Sequence, residues 1–146
     1  MSHAMTTTLR IGQALFNRLT RQAARDYPEE CCGILLGHCG DRSIHVERII
    51  EARNIAAQDR TRGYQIDWQS LFTAVKATRS GPHQIVGFYH SHPDGSTEPS
   101  LRDAEAAWID HSYVIIGIKD DRPTGAASWR IPRENAPFAQ EQILTL

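Results

Sequence analysis

Apolar residues along this chain fall into two rhythms, a strand-like period of two and a helix-like period near 3.6, and the switches between them mark the elements. Thr6 to Ile11 is β-prone and reads as a short first strand. From Gly12 to Tyr27 the apolar positions Ala14, Leu15, Leu19, Ala23 and Tyr27 fit one face of a helix, which Pro28 ends. Cys31 to Gly37 is apolar at consecutive positions, the pattern of a central strand covered on both sides, and His38 to Asp41 follows as a turn. Ser43 to Ala52 alternates, with Ile44, Val46 and Arg48 on one face and His45, Glu47 and Ile49 on the other. A polar stretch, Asn54 to Gly63, is expected to form a mobile rim. Asp67 caps a second helix, Trp68 to Thr78, whose apolar face is Leu71, Phe72 and Val75, and Gly81-Pro82 breaks it. Further strands are expected over Gln84 to His92, Tyr113 to Ile118, Gly125 to Ile131 and, in the less regular tail, Gln142 to Leu146. A third helix should run from Ser100 to about Ile109. Strands alternating loosely with helices give an α/β fold: one mixed β-sheet flanked by helices.

Composition adds limits. The 146 residues fit one domain with a real core, taken as residues 9–146, behind an N-terminal segment 1–8 that is expected to be disordered or carried over from expression, since Met5 supplies a second start. Lys and Arg total 16 against 17 Asp and Glu, with no basic stripe, which argues against a nucleic-acid surface. The N-terminus has neither the basic lead-in nor the apolar centre of a signal peptide, and Val114 to Ile118 is strand-sized, too short to span a membrane. Three cysteines, Cys31, Cys32 and Cys39, read as reduced thiols in a cytoplasmic protein, and the first two as small buried apolar residues. Trp68, Trp108 and Trp129 are read as core or groove residues.

The chemistry concentrates in His90-Ser91-His92-Pro93 and Ser100-Leu101-Arg102-Asp103. Imidazoles two apart on a strand project to one side, and a serine and a carboxylate three apart share a helix face. Asp94 to Pro99 between them is turn-forming. Taken singly, each feature has an ordinary reading: an exposed His-x-His at a strand end, and a capping box of Ser100 with Asp103. Taken together, His90, His92 and Asp103 form a three-ligand zinc set that leaves a fourth position for water, as in a catalytic site. Glu30 stands just before the buried strand. It is either the solvated end of the turn after Pro28, or a carboxylate beside the metal that takes a proton from water and delivers it to a leaving amine. Sequence order cannot bring Glu30 to His90; only the fold can.

Glu30-Cys31-Cys32-Gly33, His90-Ser91-His92 and, after seven residues, Ser100-Leu101-Arg102-Asp103 resemble the JAMM (MPN-plus) metalloprotease motif. The likeness extends from about Leu9 to Ile131 and includes Gly33 to Gly37, Asn54 and Tyr113 to Ile116. The resemblance implies a cytidine-deaminase-like JAMM/MPN fold with zinc at the sheet edge, bound by His90, His92 and Asp103. It also implies that Glu30 activates the water and that Ser100 donates a hydrogen bond to the oxyanion. The absence of long insertions points to the compact prokaryotic members, which cleave after the C-terminal Gly-Gly of ubiquitin-like or sulfur-carrier proteins. A homodimer is one expectation for its assembly. Two alternatives stand beside this reading: a RadC-like protein associated with DNA repair, and a non-catalytic MPN binding module.

Overall fold

Strand order, more than any single element, sets the shape. In this computed structural model, which describes residues 6–146, seven strands and three helices follow one another as β1 (Thr8–Ile11), α1 (Gln13–Asp26), β2 (Cys32–Gly40), β3 (Ser43–Ala52), α2 (Trp68–Ser80), β4 (Gln84–His92), α3 (Leu101–Ala106), β5 (Ser112–Lys119), β6 (Arg122–Arg130) and β7 (Ala139–Thr145). The expected mixed sheet is present, but it does not stay open. β1 pairs in parallel with both β3 and β7, so the order β1-β3-β2-β4-β5-β6-β7 closes into a barrel. The expectation for residues 1–5 lies outside the described residues; Thr8 is already paired in β1, and Thr7 donates its hydroxyl hydrogen to Glu141. Among the described residues no helix is long and apolar enough to cross a membrane.

Two apolar clusters cover the two faces of the central strands. Leu19 and Ala23 of α1 pack with Leu35, Ile44, Val46, Tyr89, Val114 and Ile116 on one face. Ala74 of α2 packs with Ile34, Leu36, Phe88 and Tyr113 on the other. This explains why Cys31 to Gly37 lacks alternation: helices cover it from both sides.

Several local expectations are corrected. His38, Cys39 and Gly40 continue β2, and the turn is Asp41-Arg42, with Arg42 at φ 57. The alternation of β3 breaks at a bulge: Leu36 pairs with Arg48 but Gly37 with Val46, leaving Glu47 as the extra residue. Ile49 therefore joins Ile44 and Val46 in the core, and Arg48 turns outward. On α2 the buried residue is Ala74, whereas Trp68, Phe72 and Val75 are exposed and Leu71 is half-buried. α3 stops at Ala106, short of Ile109. β6 begins at Arg122, because Asp120 and Asp121 with positive φ form a tight hairpin.

Candidate metal centre

β2 and β4 run antiparallel with Cys32 opposite His90; beyond that pair Cys31 is bonded to Ser91, which brings a ligand atom of Glu30 within 4.8 Å of those of His90 and His92. Two bonds lock that extension: the Cys31 N–H donates to Ser91 Oγ at 2.8 Å, and the Ser91 N–H donates to the Cys31 carbonyl at 3.1 Å. Strand pairing thus carries Glu30 across sixty residues of sequence to the histidines. Ser91 points away from them, so its role as the tie between β2 and β4 was missed in the sequence. The available signal was a hydroxyl on the inward face of a strand, which needs a partner when buried.

The loop after His92 is fixed before α3 begins. Gly95 takes φ 84; its carbonyl accepts from Thr124 Oγ1 at 2.8 Å, and the Trp129 indole donates to the Thr97 carbonyl at 2.8 Å. The first turn of α3 then presents Asp103. Ser100 Oγ accepts from the Asp103 N–H at 3.1 Å, and Asp103 Oδ2 accepts from the Ser100 N–H at 2.8 Å, a complete capping box. The capping and chemical readings of these residues are compatible, because the cap uses only the acceptor side of the Ser100 hydroxyl and leaves its proton free.

The four expected residues around the centre are buried: Glu30 at 5%, His90 at 0%, His92 at 7% and Asp103 at 8% relative exposure. His90 Nε2 lies 3.1 Å from His92 Nε2, and Asp103 Oδ2 lies 3.2 Å from the first and 3.1 Å from the second. Protons serve this triangle poorly. With both Nε2 atoms protonated, two donors face each other; with one protonated, an imidazole loses its bond to Oδ2. One cation satisfies all three atoms, and tetrahedral zinc with these ligands needs them about 3.3–3.5 Å apart, close to the spacing present. A second triple overlaps the first: ligand atoms of Glu30, His90 and His92 lie within 4.8 Å of one another.

Electrostatics separate the carboxylates. Burial pushes Glu30 up to about 8, against the pull of His92, and its Oε1 is buried without a hydrogen-bond partner. Burial also acts to raise Asp103, but hydrogen bonds from His90 and His92 hold it far below the usual carboxylate range. Burial lowers His90, whereas for His92 the Asp103 hydrogen bond and charge outweigh burial and raise it. His90 Nδ1 is buried without a partner, and its ring stacks on Tyr64, with centroids 4.5 Å apart. Tyr64 was missed in the sequence, where nothing in its polar surroundings marks it.

A groove of about 740 Å³ opens beside Asp103, walled by Tyr64, Ile66, Leu71, Phe88 and Trp108. Trp108 lines the groove and fits the reading of the tryptophans; Trp129 is half-buried and ties down the loop at Thr97 instead, and Trp68 is 74% exposed.

Known proteins agree with the motif. A family model of prokaryotic homologues of the JAB domain matches residues 12–132. The chain is 36% identical over 108 residues to a desampylase of Haloferax volcanii, covering 73% of this chain and 74% of that protein. It is 31% identical over 118 residues to a CysO-cysteine peptidase of Mycobacterium tuberculosis, covering 80% and 78%. A solution structure from Desulfitobacterium hafniense superposes with a TM-score of 0.80 at 25% identity, covering 94% of this chain and 92% of that one. The chain belongs to the family of prokaryotic JAB-domain homologues, the JAMM/MPN group that its motif resembles.

Proposed function

We propose that this protein is a zinc-dependent peptidase or isopeptidase that hydrolyses the bond after the C-terminal Gly-Gly of a ubiquitin-like or sulfur-carrier protein. The observation that carries the reading is the Glu30 carboxylate, its Oε1 buried without a partner beside a triangle of two imidazoles and one carboxylate. His90, His92 and Asp103 would hold the zinc. When bound, zinc lowers the pKa of water toward ~7 and polarises the scissile carbonyl.

The residues divide the remaining work. Glu30 takes a proton from the attacking water and hands it to the leaving amine as the C–N bond breaks. In the metal-free protein burial raises its proton affinity; beside a bound cation the ionised carboxylate, the form that accepts a proton, would be favoured. The Ser100 hydroxyl, its proton not used by the cap, donates to the oxyanion of the tetrahedral intermediate. Asp103 stays ionised and binds the metal. The substrate class is supported by the relatives named for desampylation and for CysO-cysteine cleavage, and by a groove that would admit an extended, side-chain-free tail beside the site. Free thiols at Cys31, Cys32 and Cys39 suit a reducing cytoplasm.

The test is incubation of Gly-Gly-extended carrier proteins and their conjugates with the zinc-replete protein, read by mass spectrometry. Release at the Gly-Gly terminus is expected; intact substrates across several carriers would contradict the proposal.

A further inference from the structure

One loop, residues 54–66, forms a wall of the groove and also grips the backbone of Glu30. Glu30 precedes β2 and so lies beyond its paired ladder with β4. Its peptide groups are held from the loop instead: its N–H donates to the Arg60 carbonyl at 2.8 Å, and its carbonyl accepts from Asn54 Nδ2 at 3.0 Å. Asn54 does more than touch Glu30. Nδ2 also donates to the Gly63 carbonyl at 3.0 Å, and Oδ1 accepts from the Ala56 N–H at 3.0 Å and the Gln65 N–H at 3.2 Å. Two donors and two acceptors fill the capacity of the amide, so no other side chain of this size could replace it. The backbone closes around the knot, with Asn54 bridged to Ile66 and the Ile55 N–H donating to the Gln65 carbonyl at 2.9 Å. Beyond it, Tyr64 stacks on His90, and Arg102, next to Asp103, donates to the Arg62 carbonyl at 3.3 Å.

We propose that Asn54 is a positioning residue for Glu30: it knots the groove-wall loop and presses that loop onto the Glu30 backbone, so that the wall receiving the substrate tail also fixes the carboxylate. The kinetic part rests on the cleavage reading above; the structural part does not. A misplacement of about 1 Å of a reacting group is enough to cost about a hundred-fold in rate.

The experiment compares wild type with Asn54→Ala and Asn54→Asp by steady-state cleavage of a Gly-Gly-extended carrier, zinc content and amide hydrogen exchange. Asn54→Asp keeps both acceptor bonds and loses both donor bonds, so the proposal requires it to fail like Asn54→Ala. Expected are a kcat lower by about ten- to a hundred-fold, a KM changed by less than about three-fold, unchanged zinc, and exchange of the Glu30 amide at least about ten-fold faster. A raised KM at unchanged kcat would mean that Asn54 shapes only the wall, and would overturn the proposal. If wild type cleaves no carrier, the cleavage reading falls and the Glu30 amide decides alone: unchanged protection overturns the positioning role. Should neither variant fold, native-state exchange of wild type replaces them. Glu30, Ala56 and Gln65 must then open as one unit, and independent opening refutes the knot.

Discussion

At the scale of single residues, burial raises the proton affinity of two carboxylates a few ångströms from the same imidazoles, and hydrogen bonding reverses the effect at only one of them. Asp103 is tied to both rings and stays charged, while Glu30, facing the centre without a hydrogen bond to Oε1, favours its neutral form. The sign has a measurable consequence in chelated protein. A carboxyl raised from 4.5 to about 8 on folding contributes stability that is complete below about pH 4.5 and is lost as pH rises through about 8. Metal-free wild type should therefore lose stability over that range relative to Glu30→Gln, by a difference on the order of a few kcal/mol, read from denaturant unfolding at pH 5 and pH 8.5. Ser100 gives a second residue-scale prediction. Ser100→Ala removes the cap and the oxyanion donor together, costing about 1 kcal/mol of stability and about a hundred-fold or more in kcat. Ser100→Thr retains a hydroxyl for both and should keep most of each, as thermal melts and cleavage rates would show.

Elements were legible where local pattern decides and obscure where a distant partner does. The helix at Trp68, the capping box at Ser100 and the strand carrying His90 and His92 follow from residues within one or two turns. The bulge at Glu47 does not, because it exists only against the register of β2, and it inverted the reading of Arg48 and Ile49. Nor does the exposure of Phe72 and Val75, since which face of α2 is covered depends on where Ile34 and Leu36 lie. The site was legible as a list of residue types and spacings. What the chain could not disclose was the β2–β4 register that brings Glu30 to His92, or the knot at Asn54 that holds it there. The histidine strand also depends on a close approach: a Cβ at Gly87 would lie 2.1 Å from the Ser112 carbonyl oxygen of β5. Gly87→Ala should destabilise the protein by about 3 kcal/mol, measured by denaturant unfolding, because backbone has to move on one strand or the other.

Over the whole molecule, closure of the sheet is sealed by polar groups. Arg130 of β6 and Glu141 of β7 are 7% and 3% exposed, with Nε to Oε2 at 3.4 Å, and Glu141 also accepts from Ser128 at 2.7 Å and from Thr7, just ahead of β1. Glu141→Ala would leave Ser128 and Arg130 Nε without that acceptor, while Asp110 still pairs with Arg130 Nη1 at 2.7 Å, for a loss of about 1–3 kcal/mol in equilibrium unfolding. The barrel in turn positions the candidate metal centre, whose membership can be counted. The decisive measurement is zinc per chain in purified, zinc-replete wild type, Glu30→Gln and His92→Ala. If His90, His92 and Asp103 are the ligands and Glu30 the proton carrier, Glu30→Gln retains one zinc like wild type and His92→Ala retains none. Loss of zinc from Glu30→Gln to the same degree as from His92→Ala would make Glu30 a ligand and contradict the account.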